Sequence, residues 1–264
     1  MARNLDDNQW EPMVKYQGGP RQGPFKPVFE WPDEQYFFWP LSGARIGNSL
    51  FVVGTYSKEH AGLNVAGSAW ALVANPEQDP AQWMYTLLPR PNTSQDHSWS
   101  TAVVVDPSSS WVYVIGEAHL PQHGHSSVIL RIKEQDVLAL DWEAVQFWTA
   151  SGWSHYSEGL LPLQGLPPAS EASVHHHPQL GWYTVQIPRL VGKAVYLYTS
   201  DVLTGPWKEH GKPLVNLTLP WQEPTGDDFF FYAAKAHPEL QEKGTLVITY
   251  NINTFNSKLL LELL

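Results

Sequence analysis

The chain has 264 residues, of which 43% are apolar and 16% are charged, and its formal net charge is −10. This length and apolar content predict a folded domain with a sizeable core, rather than a disordered acidic segment. With 16 Lys and Arg against 26 Asp and Glu, no basic stripe is available for nucleic acid or for an anionic membrane surface. The absence of Cys excludes disulfides, thiolate metal sites and cysteine nucleophiles.

The sequence carries no signature of a membrane span or of an export signal. No apolar run approaches the roughly 18 residues that a transmembrane helix needs. The N-terminal stretch MARNLDDNQWEPMVKYQGG lacks the apolar core of a signal peptide. We therefore expect a soluble chain, and these features leave the compartment open.

In chain order, residues 1–35 come first and are rich in Gly, Pro and Gln without periodicity. We interpret them as an extended N-terminal arm that precedes one domain over residues 36–264. Short apolar, β-branched runs follow and are typical of strands. They cover residues 50–56, 101–105, 111–115, 128–132, 182–187, 194–198 and 245–250. Gly-, Pro- and Ser-rich turn signals separate them, so the pattern predicts an antiparallel meander.

One segment, residues 133–148, leaves its secondary structure open. Apolar residues at positions 137, 140, 144 and 148 would share one face of a helix of two or three turns. The same residues also fit a turn followed by an outer strand that carries Trp142 and Phe147.

The predicted strands repeat a common plan at intervals of about 60 to 70 residues. Each repeat has a small-residue strand, a turn, a hydrophobic strand and a further strand pair. The repeats begin near Trp39, Trp99, Ser170 and Tyr232. Trp-containing closing segments recur at Trp83, Trp142 and Trp207. Repetition of four-stranded sheets predicts a β-propeller, and a β-sandwich is the alternative because it also needs many short strands.

Three segments carry a resemblance to a known group of proteins. They are SEASVHHHPQLGWYTV, YTSDVLTGPW, and YAAKAHPEL followed by LVITYNIN. They resemble the five-bladed β-propeller glycosidase-like superfamily of arabinanases, β-xylosidases and invertase-like enzymes. Within it, residues 36–258 are most similar to the formerly uncharacterised propeller family that includes endo-D-arabinanases.

The resemblance implies an all-β, five-bladed type of propeller built from four-stranded antiparallel blades, of which four are recognisable. The Asp-rich first blade, which supplies the expected catalytic aspartates of the family, has no counterpart here. Residues 1–35 contain only Asp6, Asp7 and Asp33. We therefore expect a fragment, a four-bladed relative, or a propeller whose fifth blade is incomplete. The resemblance also implies a secreted or cell-surface protein.

The implied function is a glycoside hydrolase that acts on furanose- or pentose-rich polysaccharide, with a polysaccharide or oligosaccharide as its partner. A lectin-like propeller that binds glycans without cleaving them and a protein-interaction propeller are the alternatives. The 13 Trp, 11 Tyr and 10 Phe residues suit stacking on sugars, although most such rings are expected in the core. No cofactor is implied, apart from a structural calcium ion at the propeller axis as an alternative. The oligomeric state stays open.

Glu171 is the first candidate catalytic residue. It follows a Pro-rich linker and lies at the start of a repeat, where it would act as the general acid of a glycosidase. Glycoside hydrolysis requires a second carboxylate about 5 to 10 Å away. Asp33 and Asp96 are the candidates for it, and Asp227–Asp228 occupy a comparable loop position. Each of these aspartates also suits a turn or a cap.

Four candidate substrate-binding residues follow from their positions at the starts of the repeats, namely Trp39, Ser100, Tyr232 and Lys235. His175 is a further candidate, for a hydrogen bond to a sugar or a role in the core. The resemblance adds His237, because related propellers hold an axial ion through water near this position. His175 and His177 would share one face of a strand, but a third metal ligand would have to come from elsewhere. The other close group is His119, His123 and His125, and no His-Glu-x-x-His spacing occurs. We therefore predict no metal site. Esterase and nucleotide-dependent classes are disfavoured because no Gly-x-Ser-x-Gly element or Gly-rich phosphate loop occurs.

Overall fold

A computed structural model places antiparallel β-sheets over most of the chain. It describes residues 2–4, 10–11, 28–30, 36–57, 65–88, 97–188, 192–218, 229–240 and 245–254. The chain divides into two compact units. One unit comprises Met1–Lys15 with Gln164–Leu264, and the other comprises Tyr16–Leu163.

Two short strands lie near the N-terminus, β1 (Ala2–Asn4) and β2 (Trp10–Glu11). β1 pairs antiparallel with the last strand of the chain, Thr245–Thr254, and with β2. The N-terminal segment that the sequence predicts as an extended arm therefore contributes strands to the sheet formed by the end of the chain.

The unit Tyr16–Leu163 begins with a four-stranded meander. Its strands are β3 (Phe37–Ile46), β4 (Ser49–Ser57), β5 (Val65–Val73) and β6 (Tyr85–Leu88). Gly47 forms the predicted turn between β3 and β4 with a φ of 56°, a left-handed conformation that glycine adopts without steric cost.

The second sheet of the same unit has five strands. They are β7 (His97–Asp106), β8 (Trp111–Leu120), β9 (Gly124–Lys133), β10 (Gln146–Thr149) and β11 (Gly152–Ser154). Residues 133–148 combine parts of both alternatives, but the helix is shorter than expected and Trp142 lies in a 3-10 turn instead of the strand. A short helix, α1 (Glu134–Ala139), ends at Leu140 in a left-handed conformation, and after a 3-10 turn the chain enters β10, which carries Phe147.

A continuous apolar core packs these two sheets together. Phe51 and Trp70 of the first sheet belong to one buried cluster with Trp99 and Leu130 of the second. The Trp70 indole Nε1 donates a hydrogen bond of 2.8 Å to the Trp99 carbonyl oxygen, which satisfies the polar atom of a fully buried ring. Several of the tryptophans are therefore core residues, as expected.

The other unit contains two further antiparallel sheets. The first has β12 (Ser173–His177), β13 (Gly181–Gln186), β14 (Ala194–Ser200), β15 (Lys208–Glu209) and β16 (Val215–Asn216). The second has β17 (Phe229–Ala236) and β18 (Thr245–Thr254), followed by β1 and β2. Val185, Val195, Phe231 and Ile248 contribute to the core of this unit.

A bulge recurs in the first strand of three of the described sheets. The register shifts between Pro40 and Ser42 in β3, between Ser98 and Ala102 in β7, and between Tyr232 and Lys235 in β17. Such bulges turn side chains away from the regular ladder and are frequent beside active sites. Because the three bulges lie near the starts of three sequence repeats, these repeats share a structural feature as well as a sequence pattern.

The described residues thus form successive antiparallel sheets of four or five strands, which confirms the prediction of an all-β propeller fold with four recognisable blades. Within the same ranges the longest helix has six residues, too few to cross a membrane.

Candidate functional site

The centre of the candidate site is an ion pair between Glu171 and Lys235. Glu171 lies two residues before β12 and is 7% exposed. Its Oε2 accepts a hydrogen bond of 2.6 Å from the Lys235 Nζ. Lys235 directly follows the β17 bulge, in which Ala233 has a φ of 56°. The bulge therefore sets the direction in which the ammonium group leaves the strand.

Two side chains of β12 bind the backbone of β17 next to Lys235. The Ala236 N–H donates to the Ser173 Oγ at 2.8 Å, and the His175 Nε2 donates to the Ala236 carbonyl oxygen at 3.1 Å. Because Ala236 adjoins Lys235 and Ser173 lies two residues beyond Glu171, these bonds fix the geometry of the ion pair.

Burial lowers the pKa of His175, although the Ala236 carbonyl and the nearby Glu239 carboxylate act in the opposite direction. The neutral imidazole is therefore favoured in the folded protein, where it donates to Ala236. Below the ordinary histidine pKa, His175 therefore binds a proton more readily in the unfolded chain than in the folded protein. As a result, the free energy of unfolding falls as the pH decreases.

We expect the free energy of unfolding to decrease when the pH is lowered from 7.5 to 5.5. The loss begins near the ordinary histidine pKa of about 6.5. A His175→Gln variant keeps an N–H donor but does not titrate, so its stability should depend less on pH in urea unfolding. His177→Gln is the matched control on the same strand, where the side chain is exposed. Equal pH dependence in the parent and in His175→Gln would contradict the assignment.

His237 lies beside this cluster, and both of its ring nitrogens are occupied. The Nδ1 lies 2.8 Å from the Glu239 Oε1, and the Nε2 lies 2.8 Å from the Thr249 Oγ1. Burial raises the pKa of Glu239, but its own backbone N–H and His237 outweigh burial and leave the pKa below its usual value.

The calcium ion at the propeller axis stays a prediction. Over the described ranges, no group of three or more His, Asp or Glu side chains is arranged to hold a metal ion.

The remaining substrate-binding candidates have different surroundings. Tyr232 packs against Phe230 with ring centroids 5.6 Å apart. In the unit Tyr16–Leu163, Trp39 is 37% exposed, which leaves part of its ring available for stacking. Ser100 is 2% exposed, and its Oγ lies 2.9 Å from the Ser98 Oγ, so it serves an internal hydroxyl network.

The predicted second carboxylates lie outside the described residues. This holds for Asp33 and Asp96, and also for Asp227 and Asp228. Their distances to Glu171 stay predictions.

The sequence reasoning missed one carboxylate, Glu117 on β8. Its side chain is 15% exposed, and its Oε2 lies 2.9 Å from the His125 Nε2. A signal was present: Glu117 follows Gly116 at the end of an apolar run, just as Thr55 follows Gly54 in the first repeat. Aligning the two repeats at this glycine would have identified Glu117 as a charged residue at a place where the first repeat has the neutral Thr55.

Solved structures show which fold this arrangement belongs to. A Bacteroides ovatus ATCC 8483 structure described as a candidate hydrolase matches 84% of this chain with a TM-score of 0.62 at 15% identity. The chain spans 56% of that protein. The endo-arabinase from Bacteroides thetaiotaomicron VPI-5482 matches 83% of this chain and is covered to 75%, with a TM-score of 0.48 at 14% identity.

Fructan 1-exohydrolase IIa from Cichorium intybus matches 83% of the chain and is covered to 42%, with a TM-score of 0.48 at 11% identity. Identities this low concern the fold alone. The Bacteroides ovatus structure therefore supports the predicted fold.

No curated protein sequence matches this chain. A family model matches residues 4–260, nearly the whole sequence. The chain therefore belongs to the family described as Domain of unknown function (DUF5005).

Proposed function

We propose that this chain is a glycoside hydrolase that acts on furanose- or pentose-rich polysaccharide, with Glu171 as its essential carboxylate. The observation that carries the proposal is the ion pair between the buried Glu171 and the partly buried Lys235 in a β-propeller. The two segments that hold these residues, SEASV and YAAKAHPEL, also carry the sequence resemblance to arabinanases and β-xylosidases. That resemblance supports the sugar class.

The ion pair bears on how Glu171 would be held during catalysis. The Lys235 Nζ fixes the position of the carboxylate through the hydrogen bond of 2.6 Å. The resemblance implies that Glu171 acts as the general acid, and Asp33 and Asp96 are the sequence candidates for the second carboxylate.

A lectin-like function is the second candidate, and the same pair favours it. Glu171 and Lys235 already satisfy each other without a ligand, as groups in a purely structural or binding role can. In this case the site would bind a glycan and release it unchanged.

The test is a glycan panel that measures binding and cleavage together. The purified chain is incubated with arabinan, arabinoxylan, xylan and a starch control, and new reducing ends are counted. We expect reducing ends from at least one pentose-rich polymer and none from starch. Binding without cleavage, measured by calorimetry, would favour the lectin-like function. Neither binding nor cleavage, with a protein captured instead, would favour the protein-interaction propeller and contradict the proposal.

A further inference from the structure

Glu117 is a largely buried carboxylate in the unit Tyr16–Leu163. It lies on β8 directly opposite Ser98 of β7 and Ser127 of β9. Residues directly opposite each other in antiparallel strands share one face, with Cβ atoms about 5 Å apart. The carboxylate is therefore flanked by a hydroxyl on each side.

A chain of hydroxyl groups continues from Ser98. Its Oγ lies 2.9 Å from the Ser100 Oγ and 3.2 Å from the Ser68 Oγ. The Ser68 Oγ also accepts a hydrogen bond of 2.8 Å from the Trp99 N–H. The position of Ser98 beside the carboxylate is thus fixed by its neighbours, so the polar groups are held in place before a ligand arrives.

The fold itself does not require a carboxylate here. In the first sheet the corresponding residue is Thr55, which lies opposite Trp39 and Ser68 in the same way. A neutral hydroxyl therefore satisfies this place in the repeat, whereas a buried carboxylate needs a partner, which His125 supplies at 2.9 Å. Glu117 and His125 thus add a polar pair that the repeat does not require.

The site is open to solvent on the side of His125. The imidazole is 53% exposed, whereas the Glu117 side chain that it contacts is 15% exposed. The imidazole is therefore the part of this cluster that a ligand in solution meets first.

We propose that Glu117, His125 and Ser98 form a subsite for the hydroxyl groups of a neutral sugar residue, and that it makes the chain prefer neutral to acidic glycans. A charged carboxylate only accepts hydrogen bonds, and sugar hydroxyls donate them. A uronate would instead face like charge, both from Glu117 and from a chain of net charge −10. This inference rests on the proposed carbohydrate function and specifies its substrate class.

The test compares binding of neutral arabino- and xylo-oligosaccharides with binding of oligogalacturonides by calorimetry. We expect the parent to bind the neutral ligands more tightly. Glu117→Gln should weaken neutral binding about 10- to 100-fold, because a hydrogen bond to a charged group is replaced by a weaker neutral one. The same variant should also show a smaller ratio between its affinities for the neutral and the acidic ligands. His123→Gln, in the turn of the same hairpin, is the control and should bind like the parent.

The possible outcomes separate this inference from the proposed function. If the parent binds neutral glycans and Glu117→Gln binds them equally well, the subsite is overturned while the proposed function stands. A parent that prefers oligogalacturonides also overturns the inference, and a parent that binds no glycan overturns both. Should Glu117→Gln melt well below the parent, His125→Gln takes its place. That exposed change should weaken neutral binding several-fold, and unchanged binding would refute the subsite.

Discussion

Replacing Glu171 by Gln is expected to lower the rate of glycan hydrolysis about 10²- to 10⁴-fold. Gln keeps the shape of the side chain but carries neither the negative charge nor a transferable proton. The measurement is the initial rate of reducing-end release on the best polymer of the panel. Glu209→Gln in the same unit is the control, because Glu209 is exposed and contacts Tyr198, and should keep the parental rate.

A double variant separates catalysis from folding. Glu171→Gln leaves the Lys235 ammonium without its carboxylate partner at 2.6 Å, which alone can lower stability. Glu171→Gln with Lys235→Gln restores an uncharged pair, so the melting temperature should recover while the rate stays low. If the single variant keeps most of the parental rate, Glu171 is a structural residue and the catalytic assignment is wrong.

Gly116→Ala is expected to destabilise the unit Tyr16–Leu163 by about 3 kcal/mol or more. Gly116 lies on β8 where the β7 bulge brings the backbone close, and an added Cβ would overlap the Ser98 carbonyl oxygen. The Cβ would also lie 2.9 Å from the Trp99 ring, which is fully buried. Neither neighbour can move freely, because one is backbone and the other is core.

Urea unfolding followed by tryptophan fluorescence measures this effect. Gly43→Ala is the matched control in the same unit, since its Cβ would meet its nearest neighbours at 3.4 to 3.7 Å, an ordinary contact distance. We expect that change to stay within about 1 kcal/mol of the parent. A Gly116→Ala protein as stable as Gly43→Ala would show that the bulge is loose enough to accept a side chain.

The sequence by itself determined where most strands of the blades lie. The apolar run at residues 50–56 became β4 (Ser49–Ser57), and the run at residues 245–250 became the start of β18 (Thr245–Thr254). These assignments succeed because strand alternation and turn chemistry depend on neighbouring residues. The repeat of this local pattern was also enough to predict a propeller.

Only the tertiary structure decided which polar groups meet. Glu171 and Lys235 are 64 residues apart, and their contact depends on the bulge at Ala233. No local pattern shows that bulge, because alanine rarely adopts a left-handed conformation without support from its surroundings. The Glu117–His125 pair depends instead on the register of one hairpin, in which β8 and β9 bring the two side chains together on neighbouring strands.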